Sequence, residues 1–273
     1  MQGQGIDAPL TSRGFKQAVG VGRSFHRSFK GQRGRKWLVY SSNMRRASQS
    51  LSGFLQGFSM ADAEDDGGDQ LLALESFPRK ETVSSFASES CGGPQSSGKS
   101  DAIQRDVYPT SSFFSPAQLV APLREKAQGS REGKRNDMTL KQAEAADEAS
   151  GIDWRSLKKE TDEEVADRLS SFLDETFRKI HEEESSAATN VLMVTHGGVI
   201  RVLLRDVLKV GGGAGEPKIQ VWNSSITQVD VSSRCEAAHE GESAKISYKP
   251  ELVGVIGNTS FIPPSLVTKR SDW

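Results

Sequence analysis

Cysteine is nearly absent from this chain: Cys91 and Cys235 are the only two in 273 residues. They lie far apart, with no Cys-x-x-Cys pair and no metal-ligand neighbours, which argues against a zinc ribbon or a dithiol redox centre. Two free thiols in a reducing compartment are expected. Long apolar runs are missing too. The most apolar stretch, Val191 to Leu208, is interrupted by His196, Arg201 and Arg205 and cannot span a bilayer. The opening Met1-Gln-Gly-Gln-Gly-Ile-Asp has no basic segment followed by an apolar one, so no secretory signal is read and a cytoplasmic location is expected. Charge of one sign is not in excess. Lys and Arg number 35 against 36 Asp and Glu, which gives no electrostatic case for a nucleic-acid or membrane partner. Hydrophobic residues make up 35% and charged residues 26%. A core is possible, but so polar a chain implies one folded domain with long solvated insertions.

The pattern along the chain supports that division. Thr11 is a plausible N-cap, and Phe15, Val19, Phe25 and Phe29 recur at helical spacing. Trp37-Leu-Val-Tyr40 is a short apolar run bounded by polar residues and reads as a buried strand. Ser41-Ser42 then turn into a second helix from Asn43 to Leu55. Residues 61–115 are rich in Ser, Gly and acid and read as a flexible insertion. A second insertion, 126–159, is charged and alanine-rich, flexible with some helical character. Thr161-Asp-Glu-Glu164 has capping-box spacing ahead of an amphipathic helix carrying Val165, Leu169, Phe172, Leu173, Phe177 and Ile180. Val191 to Val194 predicts a strand, Thr195-His-Gly-Gly198 a turn and Val199 to Leu208 a helix, which together make an α/β unit. Ile219 to Trp222, Ile226 to Val231 and Leu252 to Ile256 read as further strands.

Two segments carry candidate chemistry on local grounds. His196 ends a buried strand ahead of a helix N-terminus, the place where open α/β sheets bind ligands. Gly197 and Gly198 let backbone approach a ligand, and the helix offers unpaired amides to an anion. A turn histidine that merely caps the helix fits that local context equally well. In Ser41-Ser-Asn-Met-Arg-Arg46, two arginines occupy the first turn of a helix, where the dipole disfavours cations by a few tenths of a kcal/mol. A bound phosphate would satisfy Arg46, the serine hydroxyls and the helix amides together. For Arg45 a solvated position is the better reading. Leu123-Arg-Glu-Lys126 and Gln2-Gly-Gln-Gly5 say little when read alone.

Taken in order, the segments resemble the histidine phosphatases of phosphoglycerate-mutase-like fold. Gln2 to Asp7 with Pro9-Leu-Thr11, Gly14 and Gln17-Ala18 is similar to the segment just after the family's catalytic motif. Ser41-Ser42 with Arg46-Ala47 resembles its second phosphate-binding motif. Leu123-Arg-Glu125 with Gly129 and Glu132-Gly133 resembles the acid-bearing motif. Glu160-Thr161 with Glu164 and Arg168 resembles the helix before the last catalytic strand, and Thr195-His196-Gly197 the second-histidine motif. Asn223 to Ile226 and Asn258-Thr259 resemble the closing strands. Gln2-Gly-Gln-Gly with Phe15-Lys-Gln-Ala18 looks closest to the TIGAR-type fructose-2,6-bisphosphatases.

The resemblance implies a single domain over residues 1–273, a three-layer α/β/α sandwich around a mostly parallel sheet. It implies phosphomonoester hydrolysis through a phosphohistidine, acting on a phosphorylated sugar or similar small metabolite. Arg46 would clamp the phosphoryl group. His196 would bind a phosphoryl oxygen with the Gly197 amide beside it, and Glu125 would be the general acid. Gln2 and Gly3 would border the substrate. Neither metal nor cofactor is expected.

The family's first strand ends in Arg-His-Gly, whose histidine accepts the phosphoryl group. Here Met1 directly precedes the Gln-Gly-Gln-Gly segment. The expectation is therefore an N-terminally truncated sequence, inactive as given, with a gap between the strand ending at Ser42 and the one ending at Thr195. His26, His181 and His239 lack the strand–turn context to replace that histidine. A pseudophosphatase binding or regulatory module is the alternative. Phosphoglycerate mutase is disfavoured by the short Leu123 to Gly133 motif.

Overall fold

The computed structural model describes residues 4–5, 7–29, 36–65, 114–134, 137–183, 188–210, 219–236 and 245–267. Gln2, Gly3, most of the expected insertion 61–115, and His239 lie outside these residues.

Helix α1, Ser12–Phe29, starts where its sequence says it should, because the Thr11 hydroxyl accepts the Gly14 amide at 3.1 Å. Its buried face runs through Gln17, Ala18, Val21, Phe25 and His26. Strand β1, Trp37–Ser42, is buried at every position but Leu38, and α2 follows over Arg45–Asp65, a longer helix than its polar C-terminal half suggested. The two helices cross at backbone contact. A β-carbon at Gly22 would stand 2.0 Å from the Phe54 carbonyl oxygen, and one at Gly57 would stand 2.0 Å from that of Val19.

Strand β2, Gln118–Val120, leads through a 3-10 turn, Ala121–Leu123, into the loop bearing Glu125. Within 126–159, read from the sequence as a flexible insertion, the described residues form a 3-10 turn (Gly129–Arg131), helix α3 (Leu140–Ala149) and a second 3-10 turn (Trp154–Ser156). A capping box between Thr139 and Gln142 begins α3, and buried Asp147 on that helix meets Lys134 at 2.6 Å. Helix α4, Asp162–Glu182, has the expected capping box: Glu164 donates its amide to the Thr161 hydroxyl at 3.2 Å, and its carboxylate accepts the Thr161 amide at 2.8 Å. Strand β3, Asn190–Val194, is followed by α5, Gly197–Val202, which continues as a π-helical turn over Leu203–Val207. A long hairpin of β4, Ile226–Glu236, and β5, Lys245–Asn258, ends the described chain apart from a short C-terminal turn. Ile219 to Trp222, expected as a strand, pairs with no strand among the described residues; the Trp222 amide instead donates to the Ser225 hydroxyl at 3.2 Å.

The strands form two sheets, one parallel in the order β2-β1-β3 and one antiparallel made of β4 and β5. Helices α1 and α2 pack one face through Phe25, Phe54 and Phe58 with Trp37 and Val39; α4 and α5 pack the other through Leu169, Leu173 and Val199 with Tyr40. This is the expected α/β/α layering. The expected gap is misplaced, however. Trp37 to Ser41 pair directly with Asn190 to Val194, so no strand fits between the Ser42 and Thr195 ends. Among the described residues β3 pairs with β1 alone and β4 with β5 alone, so each keeps an unpaired edge. Both sheets nonetheless share one core, because Val191 and Met193 of β3 and Val229 and Val231 of β4 pack on the same cluster. Strand β3 is apolar on both faces, the pattern of an interior strand, yet each of its residues is only half-buried.

Gly57→Ala tests the helix crossing. In an ordinary helix the change would add up to about 1 kcal/mol. Against the Val19 carbonyl it should instead cost ~2 kcal/mol, a melting temperature lower by about 5 °C. A thermal melt at or above that of the parent would show that the helices do not touch there.

Candidate active site

The parallel register between β1 and β3 brings two strand ends together. Ser41 lies beside Val194, so Ser42 and the residues just after β3 emerge side by side at the carboxyl edge of the sheet, the edge where such folds place ligands. His196, the N-cap residue of α5, is 6% exposed. Its Nε2 lies 2.9 Å from the Ser42 hydroxyl, which also accepts the Met44 amide at 3.3 Å. With Ser42 donating to Nε2, the neutral imidazole carries its proton on Nδ1, facing Glu125.

Glu125 reaches the site from the loop after β2. Its Oε2 lies 3.8 Å from His196 Nδ1, too long for a hydrogen bond. Its Oε1 accepts the Lys126 amide at 3.0 Å. A β-carbon on Gly198 would come within 2.7 Å of that same oxygen, so the second glycine of the Thr195-His-Gly-Gly198 turn makes room for the carboxyl group. The Thr195 hydroxyl donates to the Leu123 carbonyl at 2.7 Å and ties the loop to the end of β3.

Arg46 stands in the first turn of α2 and is half-buried, whereas Arg45 is exposed. The sequence alone left the anion that balances this helix start open to a ligand. The structure supplies part of it from the chain: Asp7 accepts the Arg45 amide at 2.7 Å. Glu132 holds the neighbouring Gly5 amide with Oε2 and the Gln128 amide, at 2.9 Å, with Oε1. No local pattern announces Asp7 or Glu132 in these roles. The helix start that lacked an acid of its own was the one available signal. Gln2 and Gly3, expected at the rim, lie outside the described residues.

These groups shape one another's protonation. Burial pushes the His196 pKa down to about 3, and the guanidiniums of Arg46, Arg168 and Arg124 push the same way. The ring is neutral near pH 7. Burial raises the Glu125 carboxyl above its ordinary value, opposed by the Lys126 amide and by the charges of Arg46, Arg201 and Arg168. Burial also lowers Arg46, while Glu125, Asp7 and Glu132 hold it up. The result is a recess with several guanidiniums, a neutral imidazole and a carboxyl group biased toward holding its proton. Such a recess attracts an oxyanion and can offer it hydrogen bonds and one proton. Among the described residues, no three His, Cys, Asp or Glu side chains gather as metal ligands, and no helix is long and apolar enough to cross a membrane.

Among solved structures, one described as mycobacterial hydrolase 2 is 20% identical with a TM-score of 0.52, over 97% of this chain and 86% of that one. Mycobacterial hydrolase 1 is 21% identical with a TM-score of 0.50, over 94% of this chain and 90% of that one. A mycobacterial glucosyl-3-phosphoglycerate phosphatase with inorganic phosphate is 21% identical with a TM-score of 0.49, over 96% and 93%. At such identities the likeness is one of fold. No curated protein matches the chain. Residues 110–240, which carry Glu125 and His196, match the model of the histidine phosphatase superfamily, branch 1.

Proposed function

We propose that the protein is a phosphomonoesterase of small phosphorylated metabolites, with Arg46 and His196 holding the transferred phosphoryl group and Glu125 serving as the acid. The observation that carries this reading is the convergence of Ser42, Arg46, Glu125 and His196 from three separate segments on one recess at the sheet's carboxyl edge. Arg46 spreads the charge of the phosphoryl oxygens. His196, with Gly197 behind it, donates to one of them. In the first step the bond from phosphorus to the ester oxygen breaks as a bond to a histidine nitrogen forms. Glu125 gives its proton to the departing alkoxide. In the second step Glu125 takes a proton from water, which attacks phosphorus and frees the histidine.

The nucleophilic histidine comes from outside the described residues. His26 is buried between α1 and α2 against Asp62 at 3.0 Å, and His181 lies at the end of α4 beside Ser233. A further strand paired with the open edge of β3 would bring it beside His196. The sequence likeness of Gln2-Gly-Gln-Gly and Phe15-Lys-Gln-Ala18 makes fructose 2,6-bisphosphate the first sugar phosphate to test. A second reading, a phosphate-binding module without turnover, rests on the same fact that His196 is the one described histidine in the recess.

Three outcomes check these assignments. Inorganic phosphate should bind the chain in an equilibrium titration. Arg46→Ala should weaken it roughly thirty-fold, ~2 kcal/mol of charge-assisted hydrogen bonding, and Arg45→Ala by less than about threefold. Equal losses would move the clamp off Arg46. A dianion beside His196 favours the imidazolium and raises its pKa from about 3. Sulfate, whose own charge is fixed, should therefore bind near pH 6 with uptake of up to about one proton, seen calorimetrically in buffers of different ionisation enthalpy. That uptake should vanish in His196→Gln; its persistence would place the protonated group elsewhere. Finally, the chain should bind phosphate without releasing it from esters, and a protein extended upstream by a strand ending in Arg-His-Gly should hydrolyse them. Phosphohistidine trapped on the unextended chain would refute the missing nucleophile. An inactive extended protein would leave the binding module as the function.

A further inference from the structure

Glu160 and Arg168 take no part in the chemistry proposed above, yet together they hold both sides of the acid. Glu160 ends the loop before α4 and is 5% exposed. Arg168 rises from the second turn of α4 and meets Glu160 Oε1 through Nε at 3.2 Å. Of its other two nitrogens, one donates to the Pro122 carbonyl, and the second to the Arg124 carbonyl at 2.9 Å and to Glu160 Oε2 at 3.4 Å. Glu160 Oε2 accepts the Ala127 amide at 2.9 Å and the Gln4 side-chain amide at 2.8 Å. The loop carrying Glu125 is thus gripped at 122 and 124 by the cation and at 127 by the anion. The same anion draws in residue 4 of the N-terminal segment.

A surface ion pair does nothing of this kind. Arginine presents a rigid planar fork of donors, and here that fork reaches two carbonyls just ahead of Glu125. Burying the pair costs several kcal/mol of desolvation per ion, which ion pairing often fails to offset. An apolar pair would fill the space but could not fix the loop's carbonyls and amide.

We infer that Arg168, braced by Glu160, is a positioning residue that sets Glu125 against His196. Arg168 fixes the backbone before the carboxyl group, at 122 and 124, and Glu160 fixes it after, at 127, so the pair keeps Glu125 in its seat. Lysine at 168 would keep the charge and lose the fork. The loop would then relax, and Glu125 would swing toward water.

This inference rests on the acid role proposed for Glu125, and carboxyl-carbon NMR titration of the glutamate-labelled chain tests the two separately. Assignment comes from the signal lost in Glu125→Gln. In the parent, Glu125 should titrate above the ordinary glutamate range. In Arg168→Lys its midpoint should fall by one pH unit or more, while cooperative melting is retained. Arg168→Gln provides a check of sign. Losing the cation would by itself raise the Glu125 midpoint, since the Arg168 charge lowers it, whereas losing the seat lowers it. A fall in both variants supports the inference. An unchanged midpoint in Arg168→Lys, or a rise in Arg168→Gln, overturns it. Failure of both variants to melt cooperatively would make Arg168 a general anchor of the fold and overturn it too. An ordinary midpoint in the parent would instead refute the acid role itself, and the inference with it.

Discussion

Parallel pairing between β1 and β3 is the constraint under which everything else is built. Because side chains alternate along a strand, a slip of one residue would turn each to the opposite face. With Ser41 beside Val194, Ser42 emerges next to the turn that carries His196. Shift the register by one, and the 2.9 Å contact between Ser42 and His196 is lost, along with the seating of Trp37 and Val39 in the aromatic core. That core is a cluster in which Phe25, Phe54, Phe58, Trp37 and Phe114 meet mostly edge to face. Packing sets register, and register sets the site.

The electrostatics follow from the same geometry. A buried histidine and a buried carboxyl group are each pushed toward the neutral state, for a common cause that acts with opposite sign on an acid and a base. Arginines surround both groups. The recess is therefore positive before any ligand arrives, and the carboxylates that temper it, Asp7 and Glu132, belong to segments that also fasten the start of α2 and the acid loop. Structure and charge balance are supplied by the same side chains.

What the sequence disclosed was local. The Thr11 cap, the Thr161–Glu164 capping box and the strand–glycine–helix unit at His196 each lie within a few residues, where pattern and propensity act together. Arg46 and Arg45 were distinguishable because the Ser-Ser-x-x-x-Arg-Ala spacing of the resembled motif falls on Arg46. Long-range facts were not legible. Nothing near Asp7 says that it caps a helix beginning at Arg45, and nothing near Glu160 says that it will hold residues 4 and 127. The order of strands was misjudged for the same reason, since pairing partners are chosen by three-dimensional packing. Composition also misled. Residues 126–159 look solvated because they are charged, but a capping box and the buried Lys134–Asp147 pair give them regular structure. Ile219 to Trp222 has the residues of a strand and lacks a partner edge among the described residues.

The open flank of β3 has a consequence for handling the molecule. A strand that is apolar on both faces and has one edge unpaired among the described residues offers amides and carbonyls at the spacing another chain needs. Strand β4, too, is paired on one side alone among the described residues. Natural sheets usually blunt such edges with lysine, proline or a bulge, and Val191-Leu-Met-Val194 carries none of the first two. Two molecules at high concentration therefore have a ready means of zipping together through these edges. An edge left in this state favours self-association that grows with concentration, and a strand that closes it removes that tendency.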